Sequence, residues 1–240
     1  MKFYRYNDEQ KIYIFILTLT ENSDWRKRNV KRNIENNPEI NVCHAVDASN
    51  EELVKKLIRQ FAIFLPERDP KWLKFRLFNY GRLGRWLSTI MLMKYSIDTN
   101  RKLIVMEDDM LLPKDFNFQF EKYIDSDQIA VLGEWGDAYF FTPEACKKFF
   151  EDYLYKEGIQ HNDDNAIIKE YKKVIRFSIL SRNDYAVPMS DRGNEPSAVH
   201  KRDNQIDFSN VPVSKNMVLL EQKIFEQDDG PILEQFIKSI

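Results

Sequence analysis

Residues Lys102 to Phe116 read KLIVMEDDMLLPKDF: four apolar residues in a row, three carboxylates in a row, then a return to apolar residues. An uninterrupted apolar strand is expected where a parallel sheet is covered on both faces. The carboxylates follow it at its carboxyl end, where ligands collect in an open α/β sheet. On an extended backbone side chains alternate, so Glu107 and Asp109 are expected on one side and Asp108 on the other. Two carboxylates on one side can share a hard divalent cation, or one can hold a ribose hydroxyl while the other takes the metal. A solvated acidic turn that merely closes the strand is the plainer alternative.

Working outward, Lys11 to Leu17 (KIYIFIL) is almost continuously β-branched, aromatic or aliphatic and predicts a first strand of the same kind. A polar connection runs from Thr18 to Asp24, and within it Ser23 is a candidate cap for a helix from about Trp25 that carries Arg26, Lys27, Arg28, Lys31 and Arg32. After a turn at Pro38, Ile40 to Val46 predicts a second strand. Asn50, followed by Glu51 and Glu52, predicts the N-cap of a helix with Leu53, Leu57, Ile58, Phe61 and Leu65 on one stripe. The stretch from Pro66 to Tyr80 predicts an irregular excursion. Leu83, Trp86, Leu87, Ile90, Met91 and Ile97 then fall at helical spacing, with Gly81 and Gly84 at or near the start.

Beyond the acidic run, Ile129 to Leu132, Ala138 to Phe141 and Val174 to Leu180 predict strands. Thr142 and Pro143 predict the start of a helix over 144–155, and a short helix is expected near Asp163 or Asp164. Strands alternating with helices through the first 110 residues predict an α/β sandwich with a mostly parallel central sheet, the later strands admitting antiparallel ones. At 240 residues a single domain is expected over 1–240, with a core over about 11–170 and a polar, loop-rich remainder over about 171–240. In that remainder Ile232, Leu233, Phe236 and Ile237 suggest an amphipathic tail packed on the core.

Composition narrows the partners. With 43% hydrophobic and 13% aromatic residues the chain can bury enough apolar surface to offset its ordering entropy. Thirty-six basic against 38 acidic residues leave a net charge of −2, which supplies no general attraction to nucleic acid or anionic membranes. The N-terminus lacks a secretory pattern and the run from Ile12 to Leu17 is too short to span a bilayer. Two widely separated cysteines, Cys43 and Cys146, argue against a disulfide framework, so a cytoplasmic setting is expected.

The run IVMEDDMLLPKDF resembles the strand and acidic motif of glycosyltransferase family 25, the lipooligosaccharide-type and procollagen galactosyltransferase group. KIYIFILTLTENSDWRKRNV is similar to that family's opening strand and arginine-bearing helix, and INVCHAVDASN to its short strand with the alanine, valine, aspartate segment. GRLGRWLSTIMLMKY, DAYFFTPEACKKFF and HNDDNAI resemble, in order, its mid-chain helix, the strand and helix after the acidic motif, and a later acidic segment. The mid-chain helix departs from the pattern at Arg85, Trp86 and Thr89, where the family usually carries cysteine and histidine.

The resemblance implies a GT-A fold that binds a nucleotide-diphosphate sugar and passes the sugar to a glycan hydroxyl, with Mn²⁺ or Mg²⁺ as cofactor. It implies Asp109 as principal metal ligand, with Glu107 or Asp108 on the ribose or a metal-bound water and His200 as a ligand returning from the C-terminal part. Asp163 and Asp164 are candidates for the acceptor side, Asp164 as general base should the reaction invert configuration; capping a helix would explain either equally well. Arg26 and Arg28 would pair with the diphosphate through guanidinium forks, Asp47 would contact base or ribose, and Arg82 and Arg85 would form a basic wall. For the arginines a solvated helix face is the competing explanation.

Two other classes remain open on sequence. One is a relative that binds sugar nucleotides or carbohydrate without turnover. The other is single-stranded nucleic-acid binding through Lys71, Trp72, Lys74, Phe75, Arg76, Phe78, Tyr80, Arg82 and Arg85. The net acidity and the carboxylate run oppose the second, so no nucleic-acid partner is expected. A glycoside hydrolase is disfavoured because its two carboxylates must straddle a bond about 5 to 9 Å apart.

Overall fold

The computed structural model describes residues 2–5, 12–19, 24–47, 50, 52–53, 80–114, 116, 118–133, 136–154, 156, 167, 171–180 and 226–227. In chain order they form β1 (Lys2–Arg5), β2 (Ile12–Thr18), α1 (Asp24–Asn36), β3 (Asn41–His44), α2 (Tyr80–Thr99) and β4 (Lys102–Glu107). A 3₁₀ helix (Phe118–Tyr123), β5 (Ile129–Gly133), β6 (Ala138–Phe141), α3 (Pro143–Phe149), a π-helical turn (Phe150–Leu154), β7 (Val174–Leu180) and β8 (Glu226–Gln227) follow.

The strands make one sheet in the order β7-β5-β6-β4-β2-β3-β1-β8. β2 runs parallel to both β3 and β4, and the pairs β5–β7 and β1–β8 are parallel as well. β6 is antiparallel to β4 and β5, and β1 is antiparallel to β3. The result is a mostly parallel sheet flanked by helices. β7 pairs with β5, so the sheet continues beyond residue 170.

The continuous apolar runs are explained by burial on both faces. Tyr13, Phe15 and Leu17 of β2, with Leu103 and Val105 of β4, pack under α2 and α3. Ile14 and Ile16, with Ile104 and Met106, pack on the opposite face against Val30 of α1 and Phe120 of the 3₁₀ helix. α2 carries the fully buried Trp86, Leu87, Ile90 and Met91, each stabilising the fold by about 1.5–3 kcal/mol on transfer from water. It stops at Asn100, whose φ of 55° is the left-handed conformation of a helix C-terminus. Arg101 N donates to Ser96 O at 3.1 Å and Asn100 N to Ile97 O at 3.4 Å, the two bonds of a Schellman motif.

Several boundaries depart from expectation. α2 begins at Tyr80, ahead of Leu83. β1 precedes the strand expected to come first; four residues long, it is defined by pairing with β3 rather than by its own pattern. The helix capped by Thr142, whose Oγ1 accepts from Ala145 N at 3.0 Å, ends at Phe149, and a π turn continues to Leu154. In that turn Tyr153 stacks on Phe149 with ring centroids 5.3 Å apart, so the wider turn buries both rings. Asn50 Oδ1 accepts from Leu53 N at 3.0 Å as a cap should, but the helix stripe from Leu57 onward lies outside the described residues. So do the excursion over 66–79, the helix start at Asp163 and Asp164, and the tail around Phe236.

Cys43 and Cys146 are both free and buried, and burial pushes their thiols well above the usual range. Because the thiolate is the reactive species, native protein at pH 8 is expected to leave both unmodified by a disulfide-exchange reagent. Both should react on addition of denaturant; rapid labelling of either in the native state would contradict the packing.

Candidate functional site

From β2 the chain crosses to β3 on one side through α1, and later reaches β4 on the other side of β2 through α2. α1 and α2 lie on opposite faces of the sheet. The crevice outside the carboxyl ends of β2 and β4 is therefore the switch point where an open α/β sheet binds ligands. Thr18 ends β2 and Glu107 ends β4, so the carboxylate run lies at that crevice.

Alternation survives for one step past the strand. Glu107 shares the face of Val105 and meets α2, where its Oε1 lies 2.6 Å from Arg85 Nη1. Asp108 takes the face of Met106 and meets α1: its Oδ1 is paired with Arg26 Nη1, and its Oδ2 accepts from Thr18 Oγ1 at 2.9 Å. The extended backbone on which Asp109 was expected to share the direction of Glu107 ends here. The backbone turns at Asp108 and Asp109, and Met110 N donates to Glu107 O at 3.2 Å. Asp108 and Asp109 are both buried, at 3% and 8% exposure, which excludes a plain solvated turn.

Burial pushes the Asp108 carboxyl above the usual range and Asp109 adds to the rise, against the opposing pull of Arg26 and Thr18. Burial works against the charge of Arg26 too, but Asp108, Asp109 and Glu107 outweigh it and raise the guanidinium pKa. The arginine stays firmly cationic and stacks over the Trp25 ring at 4.6 Å.

The turn is also tied to α1 through its backbone. Asn29 Nδ2 donates to Asp108 O at 2.9 Å and to Met110 O at 2.8 Å. Asn33 Nδ2 donates to Met110 O at 2.8 Å, and its Oδ1 accepts from Leu112 N at 2.8 Å. Asn37 Nδ2 reaches Leu112 O at 3.2 Å. On the other side, Arg85 Nη2 donates to Gly136 O at 2.5 Å, where a φ of 81° lets the chain turn back toward β6. Asp137 follows, and its carbonyl accepts from Glu107 N at 3.0 Å, bringing a further carboxylate residue to the same end of the sheet.

The model of glycosyltransferase family 25 (LPS biosynthesis protein) matches residues 11–185, which include every element from β2 to β7. The chain belongs to glycosyltransferase family 25. No curated protein matches it at a significant level of similarity. As a member of that family it is a glycosyltransferase, and those expected residues that are described can be placed within the fold.

Glu107, Asp108, Asp109, Arg26 and Arg85 come together at the switch point. Asp47 lies beside it: Ala45 N donates to Thr18 O at 2.7 Å, and Ser88 Oγ of α2 accepts from Val46 N at 2.8 Å, fixing the backbone just before Asp47. Arg28 is exposed on α1, two positions and about 200° around the helix from Arg26. Arg82 belongs to α2, but its side chain lies outside the described residues, as do Asp163, Asp164 and His200. Among the described residues no group of three or more His, Cys, Asp and Glu side chains is placed to hold a metal ion. A cavity of about 410 Å³ opens at the other end of the sheet, between Lys102, Glu121, Phe140, Thr142 and Lys147, at the amino end of β4. No helix among the described residues is long and apolar enough to cross a membrane.

Thr18, Asn29, Asn33 and Asp137 join the site without having been expected there. The asparagines carry a visible signal, since spacing of four and eight places Asn29, Asn33 and Asn37 on one face of a helix. Arg26→Met leaves the Asp108 carboxylate buried without its cation, and is expected to cost about 3 kcal/mol in urea unfolding at pH 7. Adding Asp108→Asn should recover part of that loss. Simple additivity in the double-mutant cycle would contradict a direct pair.

Proposed function

We propose that this glycosyltransferase takes its sugar from a nucleotide-diphosphate donor and passes it to a glycan hydroxyl with the help of Mn²⁺ or Mg²⁺, in a GT-A-like arrangement. The observation that carries the proposal is the buried acidic turn at the β2–β4 switch point, with Arg26 on one side and Arg85 on the other. A donor diphosphate needs positive charge around its oxygens, and a carboxylate turn supplies that only through a cation.

The donor set suits such an ion in part. Magnesium-like ions are held by one or two carboxylates, with substrate phosphates and water completing the shell. Asp109 and Glu107 match that requirement, and His200 remains a further candidate. Asp108, with one oxygen on Arg26 and the other on Thr18, holds the turn and keeps lone pairs for the ribose or metal-bound water that the family resemblance implies. A bound divalent cation would neutralise the diphosphate as the glycosidic bond breaks.

The remaining roles belong to side chains. Arg85 and Arg26 can direct guanidinium N–H groups at phosphate oxygens while keeping one N–H on their carboxylates, since each has five donors. Asp47, beyond β3, is proposed to contact base or ribose. Asp164, with Asp163 beside it, is proposed on the acceptor side as the base that takes the hydroxyl proton in an inverting transfer.

A thermal-shift screen of UDP-, GDP- and dTDP-sugars with and without Mn²⁺ tests the proposal. At a hundredfold excess over Kd the stabilisation should be about 2.7 kcal/mol, or about 5–10 °C for a chain of this size. Asp109→Asn should abolish the metal-dependent part of that rise. Absence of any metal-dependent stabilisation, together with absence of sugar-nucleotide hydrolysis, would sink the proposal. In the transfer assay Asp164→Asn should lower the rate by about 10²–10⁴-fold; full rate with an unchanged pH profile would remove it from the base role.

A further inference from the structure

α1 is an unexpected place for buried asparagines. Asn29 and Asn33 are 4% and 0% exposed on the helix face that packs against the sheet, where an amphipathic helix ordinarily carries aliphatic residues. Asparagine is also a poor helix former. The partners of these amides are backbone groups over 108–112 that no substitution can make apolar, so removing an amide leaves a carbonyl or N–H without its bond. Three asparagines at this spacing therefore hold one irregular segment in one position.

The geometry suits that task. Asn29, Asn33 and Asn37 recur every four residues, on one side of α1 and its carboxyl end, and their amides meet the carbonyls of Asp108, Met110 and Leu112 in turn. Asn29 alone donates to the carbonyls on either side of Asp109, so the backbone of Asp109 is pinned at both ends while the asparagine leaves its carboxylate alone.

The geometry points to Asn29 and Asn33 as positioning residues for the reaction: an amide clamp on α1 that sets where Asp109 presents its carboxylate to the metal-bound diphosphate. This rests on the assignment of Asp109 proposed above. The clamp touches neither metal nor donor and acts only through the turn.

The test compares Asn29→Ala and Asn33→Ser with Val30→Ala, a cavity mutation in the same helix whose side chain is fully buried in the core beneath α1. All are measured at a temperature where each remains folded. The readouts are the Kd for Mn²⁺ in the presence of UDP, GDP or dTDP, the split between KM and kcat for donor hydrolysis, and hydrogen exchange of the amides over 109–112. The clamp predicts Mn²⁺ affinity weakened by about 10–100-fold, the usual cost of losing an outer-sphere partner. Donor KM should rise, and faster exchange should be confined to the turn. Val30→Ala should lose stability with Mn²⁺ affinity close to wild type. Equal effects of Val30→Ala and the asparagine variants on affinity, or no selective change in exchange over 109–112, would overturn the clamp. If the wild type binds no nucleotide with Mn²⁺, the assignment of Asp109 fails instead, a result distinguishable because the exchange measurement needs no ligand.

Discussion

The buried contact between Asp108 and its two partners, Thr18 and Arg26, is the constraint on which the rest of the site depends. It joins the end of β2, the end of β4 and the first turn of α1, three elements that meet only because the sheet reverses its winding at this point. A carboxylate at 3% exposure costs several kcal/mol in desolvation unless a cation and a hydrogen-bond donor answer it, and both are supplied. Once Asp108 is held in this way, the chain has to turn immediately after the strand. Glu107 is left facing α2 and Arg85, and Asp109 lies at the turn between the two helices.

Membership of glycosyltransferase family 25 makes this crevice the candidate place for the donor. The two arginines come from helices on opposite faces of the sheet and approach the same crevice, each already compensating a carboxylate. Glu107, Asp108 and Asp109 outnumber the two arginines, so the turn keeps an excess of negative charge. On the function proposed above, an anionic donor would be recognised by local placement of charge and not by a basic surface.

Much of this fold is legible in the amino-acid sequence. KIYIFIL and KLIVM are unbroken apolar runs because both faces of β2 and β4 are covered, and that pattern alone indicates a parallel sheet with helices on two sides. Thr142 followed by Pro143 marks a helix start because cap and φ restriction are local properties. The direction of the carboxylates is legible only as far as the strand persists: Glu107 and Asp108 obey alternation, whereas Asp109 lies in a turn tied by hydrogen bonds to Asn29 and Asn33, about 80 residues away along the chain. Alternation cannot register a contact of that range. β1 escapes a reading of local pattern for a similar reason, since four residues become a strand only when β3 is there to pair. Arg26 and Arg28 look equivalent in sequence, but a separation of two in a helix puts one in the crevice and the other in water.

The central claim, that a divalent cation and a nucleotide diphosphate meet at the acidic turn, is tested most directly by Mn²⁺-induced paramagnetic broadening of backbone amide signals in the presence of a nucleotide diphosphate. Selective loss of the signals of Thr18 and of Glu107 to Met110, with those of Lys102, Thr142 and Glu144 to Lys147 at the far end of the sheet unaffected, is the predicted result. Broadening centred on the far end, or no selective broadening at all, would contradict it.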